Sequence, residues 1–262
     1  MTVFPDYPYS APLIFDSHAH YDDAKFDEIR AELLEELPNR GVCGVINCGC
    51  DTRSSKAALA LSEKYPYFYA AAGIHPENTG GGTAAEIEKL AAHEKCVAIG
   101  EIGLDYYWAD DNKEEQKALF EEQLILANKL NLPVIVHDRE AHADTLELLK
   151  KHRPKGVVHS FSGSAEMAEE ILKIGMYIGI GGVLTFKNAK KLPEIAAALS
   201  SDRFLLETDA PYLTPVPYRS KINNSALILS VAQKLAELRH TDCENILRLS
   251  LENTEKLFGL KV

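Results

Sequence analysis

The chain has 262 residues, 46% of them hydrophobic, which is enough for one sizeable core. Its 28 Lys and Arg against 39 Asp and Glu leave a formal net charge of −11, which weighs against nonspecific binding of nucleic acid, because phosphate binding takes positive charge. No run reaches the roughly 18 apolar residues of a membrane span, and Met1–Pro12 lacks the basic and apolar regions of a secretory signal. The five cysteines are odd in number, and Cys48-Gly49-Cys50 is C-x-C rather than C-x-x-C. Buried thiols in a reducing compartment, the cytoplasm, are expected.

After an irregular lead-in, Met1–Pro12, the chain alternates apolar runs with amphipathic stretches. Leu13–Ala19 reads as the first strand and Asp27–Arg40 as a helix, with Gly41 as its stop signal. Strands follow at Val42–Asn47, Tyr67–Gly73, Val97–Glu101 and Pro133–His137, then at Gly156–His159, Tyr177–Ile180 and Phe204–Glu207. Between them lie helices at Ser54–Tyr65, Thr83–His93, Lys113–Leu130, Ala141–Lys151, Ser164–Ile174 and Pro193–Leu199. Thr83 with Glu86 three residues on makes a capping box. Ala226–Arg239 and Asp242–Phe258 are closing helices. The strands are rich in Val, Ile and Ala and rarely alternate with polar residues, as in strands covered on both faces. Eight strands alternating with helices over this length predict an α/β fold, a (β/α)8 TIM barrel forming a single domain over residues 1–262. An open doubly wound sheet is the alternative. It would spread the chemically distinctive residues along a row instead of around one mouth.

Those residues stand at the ends of apolar runs. His18 and His20 close the first, and their i, i+2 spacing puts both imidazoles on one face of a strand. Glu101, His137 and His159 end three others, and Asp209 follows the last. Imidazoles and carboxylates gathered this way are divalent-metal ligands. Six ligands exceed what one open zinc site needs, so two divalent ions are expected, of zinc, magnesium or manganese. Glu101 is the natural bridge between His18 with His20 and His137 with His159, and Asp209 can also take a proton from a water. His75, in Gly73-Ile74-His75-Pro76, also ends a strand. It reads as a substrate-facing group or as a histidine capping the backbone. Arg139, two residues past His137, suits a phosphate or carboxylate, or else a salt bridge to Glu140 or a helix dipole.

At these residues the chain resembles the TatD family of metal-dependent deoxyribonucleases, within the amidohydrolase barrel superfamily. The likeness runs through Asp16-Ser17-His18-Ala19-His20, Gly73-Ile74-His75-Pro76 and Gly100-Glu101-Ile102-Gly103-Leu104-Asp105-Tyr106. It continues through Val136-His137-Asp138-Arg139 and His159-Ser160-Phe161-Ser162-Gly163 to Glu207-Thr208-Asp209-Ala210-Pro211-Tyr212-Leu213. The resemblance implies a barrel with divalent metals on His18, His20, Glu101, His137, His159 and Asp209. It also implies hydrolysis of DNA phosphodiesters from the 3′ end, with single strands or 3′ ends as substrate and no obligate protein partner. The alternative within such barrels is another ester or amide, such as D-aminoacyl-tRNA. After Asp209 the family pattern Arg-Gly-Lys-x-Asn-x-Pro reads Arg219-Ser220-Lys221-Ile222-Asn223-Asn224-Ser225, with serines at its Gly and Pro positions. Arg219 and Lys221 keep the cationic positions and are expected to contact phosphates near the scissile bond. Tyr106, Tyr107, Trp108 and Phe161 are candidates to stack a terminal base.

Overall fold

The computed structural model describes residues 2–108 and 110–262; of the lead-in, Met1 lies outside them. Eight strands form one sheet in chain order: β1 (Ile14–Ala19), β2 (Val42–Cys48), β3 (Phe68–Ala72), β4 (Cys96–Asp105), β5 (Val134–Arg139), β6 (Gly156–Val158), β7 (Tyr177–Ile180) and β8 (Phe204–Leu206). Helices alternate with them: α1 (Arg30–Glu36), α2 (Thr52–Lys64), α3 (Ala84–Ala91), α4 (Lys113–Leu130), α5 (His142–His152), α6 (Ala165–Lys173), α7 (Lys191–Ala198), α8 (Ile228–Arg239) and α9 (Cys243–Phe258). Parallel strands in unbroken order, each followed by helix, make the (β/α)8 barrel that the sequence predicts. No helix among the described residues is long and apolar enough to cross a membrane.

The chain packs as two compact units, one running to Asn47 and resuming at Gly179–Val262, the other Cys48–Ile178. In the first, β1 pairs in parallel with β2, and Ala19 at the end of β1 bridges Ala210 just beyond β8. Its core includes Ile14, Phe15, Val45, Ile46, Phe204 and Leu205. In the second, β3, β4, β5 and β6 pair successively in parallel around Ala70, Ala71, Ile99, Ile102, Val134 and Val136. Most elements begin where local chemistry says they should. Thr83 accepts from the Glu86 amide and Glu86 bonds back to Thr83, so the predicted capping box starts α3. Ser164 and Asp242 cap α6 and α9 by accepting from the amides of Met167 and Asn245.

Several strands depart from the predicted bounds: β5 runs past His137 to Arg139, and β6 stops at Val158, one residue before His159. Two others, β4 and β1, carry site residues on irregularities. β4 does not stop at Glu101 but continues to Asp105, because Ile102–Asp105 pair with Val136–Arg139 of β5. Between Ile99 and Ile102 the partner strand advances only from Val134 to Val136, so β4 holds one extra residue, a β-bulge at Gly100–Glu101. β1 has the same irregularity at Ser17–His18, where Asp16 pairs with Val45 and Ala19 with Asn47. The first predicted helix is shorter than its apolar spacing suggests: α1 gives way to a 3-10 turn at Leu37–Arg40, which Pro38 opens and Gly41 ends in a left-handed conformation. The cysteines are only partly as expected. Cys48 and Cys96 are buried, whereas Cys43, Cys50 and Cys243 are half-buried.

Candidate metal centre

Within the first unit, the end of β1 and the segment after β8 bring together His18, His20 and Asp209. The two Nε2 atoms lie 3.0 Å apart, and Asp209 Oδ1 is 3.6 Å from that of His18 and 3.4 Å from that of His20. Asp209 has a left-handed backbone, φ 59, which Asp tolerates better than most residues. Its N–H donates to the His18 carbonyl at 2.9 Å, so ligand strand and ligand loop are tied directly.

A buried carboxylate fixes this arrangement. Asp16 accepts from the amides of His18 and Thr208 on Oδ1, and from the hydroxyls of Thr208 and Ser225 on Oδ2. Burial pushes its carboxyl up to about 6, while those four donors hold it down against a larger rise. Ser225, at the proline of the family pattern, uses an N–H that proline lacks: it donates to the Tyr21 hydroxyl at 2.8 Å. Asn223 is buried and donates to the carbonyls of Thr208 and Tyr212, pinning the loop that follows Asp209. The sequence reading assigned no role to Asp16, although it stands two residues before His18.

Within the second unit, Glu101, His137 and His159 converge. Glu101 Oε1 lies 2.9 Å from His137 Nδ1 and 2.8 Å from His159 Nε2, and those two nitrogens are 3.3 Å apart. The other nitrogen of His137, Nε2, donates to Asp105 Oδ2 at 2.9 Å. That bond leaves Nδ1 facing Glu101 and His159, the carboxylate–histidine arrangement that orients metal ligands. Burial disfavours the Asp105 anion, but the bonds from His137 and from the Trp108 and Tyr107 amides outweigh it and hold the carboxyl below its usual range. Burial also works against the His137 cation, yet the bonds to Asp105 and Glu101 outweigh it and raise the imidazole to about 10.

Two glutamines of α4, seven residues apart and so on one face after two turns, hold this cluster from behind. Gln116 accepts from the Asp105 amide and donates to the Asp105 carbonyl. Gln123 does the same at Ile74, beside His75. His75 is buried, its Nδ1 accepting from the Glu77 amide and its Nε2 3.5 Å from Glu101 Oε1. It therefore caps the backbone, and it joins the ligand cluster with Glu101 and His137. Burial, more than any neighbour, lowers its pKa. Cys50 is a further neighbour that the sequence did not disclose, with Sγ 3.9 Å from Glu101 Oε2. Asp105, at the end of the buried run Ile102–Leu104, likewise shows its role only through its bond to His137.

The remaining predicted positions are not among these donor sets. Arg139 places its guanidinium 4.3 Å from the Tyr107 ring centre and 5.5 Å from that of Trp108. Arg219 donates to the Thr214 carbonyl and lies 3.9 Å over Phe186, and Lys221 is exposed. Phe161 is 2% exposed and Tyr106 bonds Asp144, so of the four aromatic candidates only Tyr107 and Trp108 stand open to solvent.

Residues 15–259 match the family described as TatD related DNase. The chain belongs to the TatD-related DNase family. It is 40% identical over 254 residues to the uncharacterized metal-dependent hydrolase YabD of Bacillus subtilis, covering 95% of this chain and 100% of that one. It is 34% identical to the 3′-5′ ssDNA/RNA exonuclease TatD of Erwinia tasmaniensis, covering 94% of this chain and 100% of that one. The crystal structure of YjjV, a TatD homologue from Escherichia coli, superposes with a TM-score of 0.90 at 34% identity, over 95% of this chain and 99% of that one. As a TatD protein, the chain is a metal-dependent hydrolase.

The donor sets fit such a metal. Ligands bonded at about 2.0–2.2 Å to one tetrahedral or octahedral ion lie roughly 3 Å from one another. The separations of 2.8, 2.9 and 3.3 Å in the Glu101–His137–His159 triangle, and 3.0 Å between the imidazoles of His18 and His20, match that spacing. Mixed imidazole and carboxylate donors suit zinc and manganese better than soft-ligand metals.

Proposed function

We propose that this TatD protein hydrolyses DNA phosphodiesters as a 3′-5′ exonuclease on single strands, using two divalent ions. The observation that carries this reading is the Glu101–His137–His159 triangle, with His137 held in its ligand orientation by Asp105. The named activity of the Erwinia relative supports the substrate class. In this reading His18, His20 and Asp209 would hold one ion, and Glu101, His137 and His159 another. When bound, the ions supply Lewis-acid polarisation of the phosphate and make a water acidic enough to attack near neutral pH.

The protein's own groups do the rest. Asp209, on the half-exposed edge of its cluster, accepts the proton of the attacking water. Asp105 keeps the His137 lone pair aimed inward. Arg219 and Lys221 hold phosphates of the strand beyond the scissile bond. The whole chain acts as one catalytic domain, in the cytoplasm, where reduced thiols persist.

Metal-loaded protein and a 5′-labelled single-stranded oligonucleotide test this. A ladder shortening from the 3′ end is expected, with close to two ions per chain by elemental analysis. Internal cuts only would remove the exonuclease mode. Intact DNA together with release of the amino acid from D-aminoacyl-tRNA would select the ester reading. Glu101→Ala should lose bound metal, and unchanged metal content would end its role as a ligand.

A further inference from the structure

We infer that Tyr107, Trp108 and Arg139 form a stacking platform for a nucleobase of the strand being hydrolysed. This inference rests on the nuclease reading. The turn after β4 leaves Tyr107 56% and Trp108 63% exposed, side by side in sequence and space. Their rings meet nearly perpendicular, with centroids 4.7 Å apart, and both side chains stand out into solvent. Folding normally hides large aromatic side chains, and an adjacent exposed pair marks a binding surface. The Arg139 guanidinium over both rings adds a local positive charge to a chain that is acidic overall. Aromatic faces with an arginine are the recognition chemistry of single-stranded nucleic acid: the rings take a base and the guanidinium takes stacking or phosphate contact.

Asp105 ties this platform to the metal ligands. Its Oδ1 accepts from the backbone amides of Tyr107 at 2.9 Å and Trp108 at 2.8 Å, while its Oδ2 holds His137 Nε2. From the other side, Arg139 is the β5 partner of Asp105 in the sheet, and its carbonyl accepts from the Tyr106 amide. His137 and Arg139 are two residues apart on β5 and thus share a face of the strand. One carboxylate therefore sets both the orientation of a metal ligand and the position of the platform. A base seated there belongs to a nucleotide close to the bond under attack. Stacking reads no base edge, so the platform accepts any base and gives single strands the advantage over duplex, whose bases are already stacked.

Trp108 is the chain's sole tryptophan, so its fluorescence reports on the platform alone. The test titrates metal-loaded protein with a single-stranded oligonucleotide whose 3′-terminal linkages are phosphorothioates, against an abasic strand of equal length and charge. The base-bearing strand should quench Trp108 and bind about tenfold more tightly than the abasic one, within the roughly five- to 150-fold that stacking of one base gives. Trp108→Ala should bring the base-bearing strand down to the abasic affinity, and Trp108→Phe should restore most of the difference. Equal affinity for the two strands, or equal quenching by both, would overturn the platform while leaving the nuclease reading in place if DNA is still shortened. A protein that binds neither strand and leaves an unmodified single strand intact would overturn both.

Discussion

Asp209 shows how much local structure is spent on one carboxylate. Its left-handed φ of 59 is fixed on both sides: its amide donates to the His18 carbonyl, and the preceding Thr208 is held by Asp16 and Asn223. Because those holds run through backbone and neighbours, Asp209→Asn should fold normally and keep most of its metal on the two imidazoles. It should nonetheless lower kcat by about 10²-fold or more, the range of lost general-base catalysis. Near-normal turnover by steady-state assay would assign the proton transfer elsewhere. His137 gives a second prediction. Its pKa of about 10 means that the imidazole carries a proton at neutral pH when no ion is bound, whereas coordination at Nδ1 requires that proton to leave. Metal binding to chelator-treated protein at pH 7.5 should release close to one proton per chain from this residue, seen by calorimetry in buffers of different ionisation enthalpy. Affinity should rise by up to about tenfold per pH unit, since one proton is linked. The stability of the chelated protein should run the other way. The pKa is raised above its ordinary 6.5, so the contribution of the cation is complete below that value and is lost as pH rises through about 10. Binding that releases no proton would show that the ring is already neutral.

At the scale of elements, the bulges of β1 and β4 and the extension of β4 past Glu101 shape the site. Gly103 makes the extension possible: its φ is 148, and a Cβ there would lie 1.9 Å from the His137 carbonyl oxygen. That neighbour is backbone, so it cannot swing aside. Gly103→Ala should therefore cost on the order of 1–3 kcal/mol by the usual scale of a strained backbone position. It should also displace His137, so bound metal should fall together with the melting temperature. A variant with full metal content and unchanged melting would show that β4 and β5 separate without effect on the ligand. The bulges also explain what could and could not be read from the sequence. Apolar runs gave all eight strands, and His18, His20, Glu101, His137, His159 and Asp209 were visible as metal-capable groups at or near their ends. The apolar run Val97–Ile99 ends at Gly100-Glu101, and a bulge that continues the strand leaves the same sequence mark there as a stop. Asp105 and Asp16 were hidden for another reason. Their roles lie in hydrogen bonds to groups distant in sequence, and spacing cannot display those. Gln116 and Gln123 were likewise lost in a helix that looked merely amphipathic.

At the scale of the whole molecule, a net charge of −11 sets the terms on which a polyanion can bind. In the proposed nuclease reading, a strand of DNA gains little from the surface at large, and local charges such as those of the loop after β8 carry its binding. That loop is well braced. Thr214 donates through its hydroxyl to the Lys221 carbonyl and accepts from Arg219, while Asn223 anchors the far end to Thr208 and Tyr212. Arg219 rests over Phe186 with its guanidinium only partly engaged. With so few cations in play, the affinity for single-stranded oligonucleotide should depend weakly on salt, and each contact should be separately measurable. Each phosphate contact contributes a slope of about −0.7 in log K against log salt for a single strand. Arg219→Ala should make the slope shallower by about that amount and raise KM for oligonucleotides. A small chromogenic phosphodiester, which has no second phosphate to reach the loop, should be hydrolysed as before. Equal losses on both substrates would mean that Arg219 supports the Asp209 segment through Thr214. A steep salt dependence that survives Arg219→Ala would locate the binding charge somewhere other than this loop.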